Sequence, residues 1–348
     1  MKNILVILVG GTICCSQNHR GSLSVSEKAG ALLKENFLAS HSPFADKVNI
    51  DLTENLFILS ENMTVEYWQK MLDAYVRHTK EKAYDGVIFA HGTDTLGFSA
   101  PLFSLILSGS PVPVFFVSAN KPLHHKNSNG NANFACAVEC ICQGIKSGVY
   151  VAYKNISDGK MYLHLASRIT QCKNYSDDFV SQGMLEVIST AQACEKMNAT
   201  YPTEKRTAFI DPYNMRPLKS CVLYLEPYVG IDYSAYDYSR FSAVLHGTYH
   251  SGTACALEGG SVLYMIDRCS QMGVEVYLAP ARLRGEVYET ADIIGHHTAP
   301  TGQKPHFLYG YTREMTYCKL LLAYSLFEDA KLRERFLNTE CNFEIIGE

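Results

Sequence analysis

A chain of 348 residues, 47% of them hydrophobic, is long enough for roughly two domains and apolar enough to fill a core in each. Its formal net charge is -4 and its lysines and arginines are scattered, which argues against a nucleic-acid partner. No stretch reaches the apolar length that spans a bilayer, so no membrane partner is expected either, and the expected ligand is something small.

The first predicted element is a buried strand, "NILVILV", at residues 3–9. Its apolar run is short for a secretory leader and ends in Gly10-Gly11 rather than a small-residue cleavage site, which predicts a cytoplasmic protein. The 12 cysteines fit that compartment, being dispersed and without paired metal-ligand spacing. Cys136 and Cys140, four apart in "CAVECIC", read as the packed face of a helix, and neither a metal nor any other cofactor is expected. In "MTVEYWQKMLDAYVRH" (63–78), Thr64 is placed as an N-cap, and Val65, Trp68, Leu72, Tyr75 and Val76 recur at helical spacing. A strand at 86–90, a helix at 94–109, a strand at 111–119 and a helix at 131–145 follow, the alternation of βα units around a parallel sheet. Residues 193–217 turn polar and irregular and read as a linker. Beyond it, "SCVLYLEP", "FSAVLHG" and "GVEVYLAP" read as three strands, with helices at 259–272 and 312–326. The predicted fold is α/β: a larger N-terminal doubly wound parallel-sheet domain over 1–192, the linker, and a smaller C-terminal α/β domain over 218–348.

Two of these strands end in similar words, "LVGGTI" with Thr12 and "FAHGTDT" with Thr93 and Asp94. Ligands of open parallel sheets sit beyond the carboxyl ends of the strands, where glycine lets the backbone come close. Either threonine alone is accounted for by a helix cap; the pair, one with an acid attached, points to a site. Neither word is a phosphate loop. A threonine hydroxyl becomes a nucleophile when a base takes its proton, and a carboxylate holds an ammonium group, parts that suit a small zwitterion.

With these words the chain resembles the bacterial-type L-asparaginases, and their cytoplasmic branch in particular. "GGTI" and "HGTDT" match the two family signatures, and the likeness runs on through "LSENMT" (59–64), "SANKPL" (118–123), "SNGNAN" (128–133) and "YVGID" (228–232). The resemblance implies two α/β domains, assembly as a homodimer or homotetramer, and metal-free hydrolysis of asparagine to aspartate and ammonia. It implies that Thr12 attacks the side-chain amide to form an acyl-enzyme and that Thr93 belongs to a second Thr-Lys-Asp group. Asp94 would bind the α-amino group and Ser60 the α-carboxylate, and Ala119 lies on the loop beside the amide. Backbone N–H groups near Thr12 and Thr93 would serve as the oxyanion hole.

The chain departs from the family pattern in several places. Ser22 stands at the spacing of the family tyrosine, with His19 in the same loop as either a base or a solvated histidine. Gln171 stands at the family lysine, and an amide cannot take a proton. If the strand continues, Lys173 shares a face with Gln171 and reaches back to Thr93; otherwise it is an ordinary exposed lysine. Glu61 follows Ser60 and adds negative charge to the substrate pocket, unless it pairs outside the site, and Asn129 replaces an aspartate. His91 is expected to fix its turn rather than perform chemistry. The resulting expectation is an amidohydrolase for asparagine, glutamine or another close amide, set against a binding protein that has lost its bases.

Overall fold

The computed structural model of the chain describes residues 1–17, 23–54, 56–257, 261–281 and 287–347. These form two compact units, residues 1–215 with 340–343 and residues 216–339 with 344–348.

In the first unit the elements run β1 (Lys2–Leu8), β2 (Cys15–Gln17), β3 (Leu23–Val25), α1 (Glu27–Leu38), β4 (Val48–Leu52), α2 (Val65–Glu81), β5 (Gly86–Ala90) and α3 (Leu96–Ile106). They continue with β6 (Pro113–Val117), α4 (Gly130–Cys142), β7 (Gly148–Lys154), β8 (Met161–Leu165), β9 (Ile169–Thr170), β10 (Val180–Ser181), β11 (Leu185–Glu186) and α5 (Thr190–Thr200). Seven strands make one sheet in the order β11-β8-β7-β6-β5-β1-β4. The run from β4 to β7 is parallel, and β8 and β11 add an antiparallel edge.

The near-continuous apolar composition of the central strands follows from burial on both faces. Ile4, Val6 and Leu8 of β1 join one core with Leu33 and Phe37 of α1 and Phe134 and Val138 of α4. On the opposite face Phe89 of β5 lies 5.0 Å from the Phe103 ring of α3 and 4.8 Å from Phe116 of β6. Trp68 of α2 donates its indole N–H to Ser99 of α3 at 2.7 Å, satisfying a polar atom that burial would otherwise penalise. Helices therefore cover both faces, as a doubly wound sheet requires.

The strand order sets the site. The chain leaves β1 toward β4 on one side and leaves β5 toward β6 on the other, so the switch point of the sheet lies between β1 and β5. That crevice is where open α/β sheets bind ligands.

The second unit holds a four-stranded parallel sheet, β12 (Val222–Leu225), β13 (Ala243–Gly247), β14 (Glu275–Ala281) and β15 (His306–Tyr309), paired in chain order. Its helices are α6 (Val262–Gln271), α7 (Glu289–His296), α8 (Arg313–Leu326) and α9 (Ala330–Leu337). Val244, Met265, Ile266, Val276 and Leu278 form its core. A fully buried ion pair, Lys319 to Glu344 at 2.7 Å, ties α8 to the last described residues.

The structure differs from the sequence expectations in identifiable places. The segment 193–217 does not begin as linker, because α5 occupies Thr190–Thr200 and residues through Met215 belong with the first unit. The sequence predicts three C-terminal strands, and β15 is a fourth. Thr64 has the extended backbone of an N-cap, but its side chain makes no cap bond to a backbone N–H.

Candidate active site

The glycines that precede Thr12 and Thr93 lie against each other. Gly11 has φ 70°, and a Cβ added to it would fall 2.1 Å from the Cα of Gly92. Only two glycines permit that approach. Gly10, at φ 137°, lies equally close to Ile58, its would-be Cβ 2.0 Å from the carbonyl oxygen, so the loop after β1 is held between the loops that carry Ile58 and Gly92. Thr12 then opens a short 3-10 turn, Thr12–Cys14, whose cap is Gly11 rather than a side chain. Neither the Thr12 nor the Thr93 hydroxyl has a hydrogen-bond partner among the described residues, and the same holds for their backbone N–H groups. The cap explanation fails for this loop. Thr95, not Thr93, holds the N-cap position of α3, and its hydroxyl donates to the Ser60 carbonyl at 3.0 Å instead of capping.

Asp94 is exposed, and its carboxylate is fixed by a buried neighbour. Ser60 donates its hydroxyl to Asp94 Oδ2 at 3.0 Å and accepts the Asp94 backbone N–H at 3.2 Å. Ser60, expected as a substrate ligand, therefore directs its one hydroxyl proton at Asp94 in this structure. Glu61 is exposed on the same turn; burial, and then the charge of Glu61, push the Cys15 thiol of β2 up to about 11. His19 and Ser22, the two candidates that follow β2, lie outside the described residues.

Gln171 is bound on both sides of its amide. Its Oε1 accepts the Gly97 N–H at 2.9 Å and its Nε2 donates to the Thr93 carbonyl at 2.9 Å, joining the threonine loop to the first turn of α3. The strand expected to carry Lys173 does not form, because β9 ends at Thr170 and no pleat carries through Gln171. A turn replaces it, with Ser176 N–H donating to the Lys173 carbonyl at 3.0 Å and Tyr175 at φ 61°. Lys173 nevertheless lines the same cavity as Thr93 and Asp94. This space of about 560 Å³ is walled by Thr93, Asp94 and the segment 171–177, whose members beyond Gln171 and Lys173 sequence reasoning missed. The turn-forming composition of "NYSDD" is the signal that could have found them.

His91 is wholly buried, with burial pushing its pKa down to about 4. The neutral ring places Nδ1 2.7 Å from the Gly92 carbonyl, a bond that requires the proton on Nδ1 and fixes the turn preceding Thr93. Ala119 is buried just past β6, at the third carboxyl end beside the crevice. Its loop is secured by Asn129, whose Oδ1 accepts Asn120 N–H at 2.9 Å and whose Nδ2 donates to the Lys154 carbonyl at 2.8 Å. An aspartate has no donor for the second bond, which accounts for the amide at 129.

The arrangement comprises two free hydroxyls on touching loops, two free backbone N–H groups beside them and an anchored carboxylate at the mouth. Its parts can attack a carbonyl, hold an oxyanion and grip an ammonium group.

The chain is similar to several known proteins. A family model described as Asparaginase, N-terminal, matches residues 3–203. A glutamyl-tRNA(Gln) amidotransferase subunit of Halobacterium salinarum is 32% identical over 170 residues, 49% of this chain and 38% of the relative. The corresponding amidotransferase subunit of Methanothermobacter thermautotrophicus is 26% identical over 228 residues, 61% of this chain and 51% of the relative. The chain therefore spans between about two fifths and half of the length of these relatives. Among solved structures, the thermostable L-asparaginase from Thermococcus kodakarensis superposes with a TM-score of 0.73 at 20% identity, covering 99% of this chain and 100% of that one. L-asparaginase I from Vibrio cholerae gives 0.68 at 19% identity, covering 99% of each.

Proposed function

This chain belongs to the asparaginase family, and we propose that it hydrolyses the side-chain amide of L-asparagine or a close analogue through a threonine nucleophile. The observation that carries the reading is the contact of Gly11 with Gly92, which makes Thr12 and Thr93 the next residues of two touching loops at the switch point of the sheet.

In the proposed reaction Asp94, held by Ser60, receives the substrate ammonium. Thr12 Oγ attacks the amide carbon while the backbone N–H groups of Thr12 and Thr93 take the charge developing on the carbonyl oxygen. The Thr12 proton has to reach the departing nitrogen. The Thr93 hydroxyl, donor and acceptor at once, serves as the shuttle, since Gln171 accepts no proton. The C–N bond breaks, ammonia leaves, and water attacks the Thr12 ester by the reverse relay to free the acid. The same reading expects a cytoplasmic protein that works as a homodimer or homotetramer.

A second reading has a specific support. The relatives named as amidotransferase subunits favour an amide other than free asparagine. Ammonia release by purified protein from L-asparagine, L-glutamine and D-asparagine separates the two, with Thr12→Ala as the control. Turnover of an amide that Thr12→Ala lowers by at least about a thousandfold supports the nucleophile. Saturable asparagine binding without turnover by the native chain overturns it in favour of a binding protein.

A further inference from the structure

We propose that the second unit carries a binding site of its own for a small organic monocarboxylate, built on Arg333, Tyr277 and Tyr324. The proposal stands apart from the hydrolysis reading, since all of its residues belong to the second unit.

The site is a cavity of about 480 Å³ lined by β14 and β15, at the edge of the four-stranded sheet, and by α8 and α9. Three observations give it a ligand chemistry. First, Arg333 is anchored on one side and unused on the other. Its Nη1 donates to the carbonyls of Phe327 and Glu328 at 3.0 and 2.7 Å, just past the end of α8, and its guanidinium carbon lies over the Tyr324 ring, 5.0 Å from the centroid. Holding those carbonyls occupies Nη1 alone. Nε and Nη2 have no acceptor among the described residues, and no carboxylate among them comes within 4.0 Å of the group. A guanidinium held in place with one edge unused is a fork for the two oxygens of a ligand carboxylate.

Second, the hydroxyls of Tyr277 and Tyr324 lie 2.9 Å apart. Whichever one donates, the other keeps a proton that has no acceptor among the described residues. Burial raises both phenols and keeps them protonated, so the pair offers one O–H to an anion arriving beside Arg333.

Third, the charge around the cavity admits one negative group and no more. Glu275 Oε2 is already met by Gln303 Nε2 at 2.9 Å and His306 Nε2 at 2.8 Å, and the His306 bond holds this carboxyl below its usual range. The His306 ring stacks on that of Tyr277, with 4.8 Å between centroids, and gives the cavity a flat aromatic wall. Glu334 is exposed on the same lining and takes part in no ion pair among the described residues, so a ligand with two or three negative charges is repelled. Pro305, Leu308 and Leu337 complete the lining with apolar surface. The occupant that meets all of these is a single carboxylate on an apolar body.

The test is calorimetric titration of the native chain with benzoate, benzamide and inorganic phosphate. It is repeated on Arg333→Lys, which keeps the charge without the fork, and on the double variant Tyr277→Phe/Tyr324→Phe, which removes both hydroxyls so that neither is left unpaired. Thermal melts establish that each variant is folded. The native chain is expected to bind one benzoate with a Kd below about 10 mM, the weakest value for a well-fitted ligand of that size. Benzamide, which lacks the charge, should bind at least about tenfold more weakly, and each variant should weaken benzoate by about tenfold or more while leaving benzamide little changed. Benzoate that fails to saturate, or that binds both folded variants as tightly as the native chain, overturns the proposal. Phosphate bound more tightly than benzoate overturns it as well, because the site would then be built for a polyanion. Ammonia release is not a readout here, so this result and the fate of the hydrolysis reading remain separate.

Discussion

Substituting Gly92 by alanine strikes the contact on which the site depends. A Cβ at residue 92 would lie 2.3 Å from Ser60 Oγ, 2.5 Å from Ser60 Cβ and 2.9 Å from Gly11 Cα. Carbon atoms rest at about 3.5–4.0 Å, so Ser60 has to withdraw by roughly 1 Å. Overpacking of this kind costs about 1–3 kcal/mol, which lowers the melting midpoint by several degrees. The larger effect falls on turnover. A displacement of roughly 1 Å in a reacting constellation costs about a hundredfold in rate, and here it moves both the Thr12 loop and the Ser60–Asp94 pair. Gly144→Ala is the matched control. Gly144 also has a positive φ, 80°, but a Cβ there meets nothing within 4 Å, so it loses about 1 kcal/mol of stability through backbone strain with turnover intact. Thermal melts and kcat/KM for ammonia release on both variants make the comparison. A Gly92→Ala protein with native kcat/KM would refute the claim that these two loops form the reaction centre.

Two further outcomes concern the scaffold. In the second unit, Lys319 Nζ donates to Glu344 at 2.7 Å, to the Thr339 carbonyl at 2.6 Å and to Tyr311 at 3.2 Å, and the Lys319 and Glu344 side chains have no access to solvent. Lys319→Met leaves Glu344 without its cation and should cost about 3–5 kcal/mol in urea unfolding, most of it recovered by adding Glu344→Leu; an unchanged midpoint for the single variant would show the pair to be idle. The buried histidines predict acid sensitivity: burial depresses His91 and His246 to about 4 and His164 to about 3. Because the folded values lie below the unfolded value of about 6.5, the unfolded chain gains protons first as the pH falls. Stability is fully present above about 6.5 and is lost toward 4, by about 2 kcal/mol for each histidine at pH 5. Urea midpoints at pH 7.5 and 5.0 measure this, and His164→Phe should flatten the dependence; equal midpoints for the native chain would contradict the burial argument.

The sequence exposes what depends on local composition. β1, β5 and β6 announce themselves because strands buried on both faces must be apolar throughout, and the glycines at 10, 11 and 92 mark where backbones meet. The helix α5 is legible too, though not from polarity, which makes its stretch look like linker: Ser189 accepts the Gln192 N–H, the S-x-x-Q start of a capped helix. β15 has only the four residues His306–Tyr309, too short for an alternation to stand out. A strand position for Lys173 fails for a different reason. Whether a strand continues past Thr170 is decided by its pairing, and β9 pairs with β10 over only two positions before the turn at 173–176 takes the chain away.

Gln171 shows why a motif position does not carry its chemistry with it. The place between the Thr93 loop and α3 makes two demands, a donor for the Thr93 carbonyl and an acceptor for the Gly97 N–H, which is inside the helix start and has no carbonyl within its own turn to reach. Glutamine satisfies both at once. An ammonium group offers three donors and no acceptor, so a lysine here would leave the Gly97 N–H unpaired, at about 1–3 kcal/mol for a buried group. The residue is therefore set by the architecture of this helix start. For the reaction proposed above this leaves the proton path to the hydroxyls rather than to residue 171, and a Gln171→Lys substitution is expected to lose the bond to Gly97 before it gains a base.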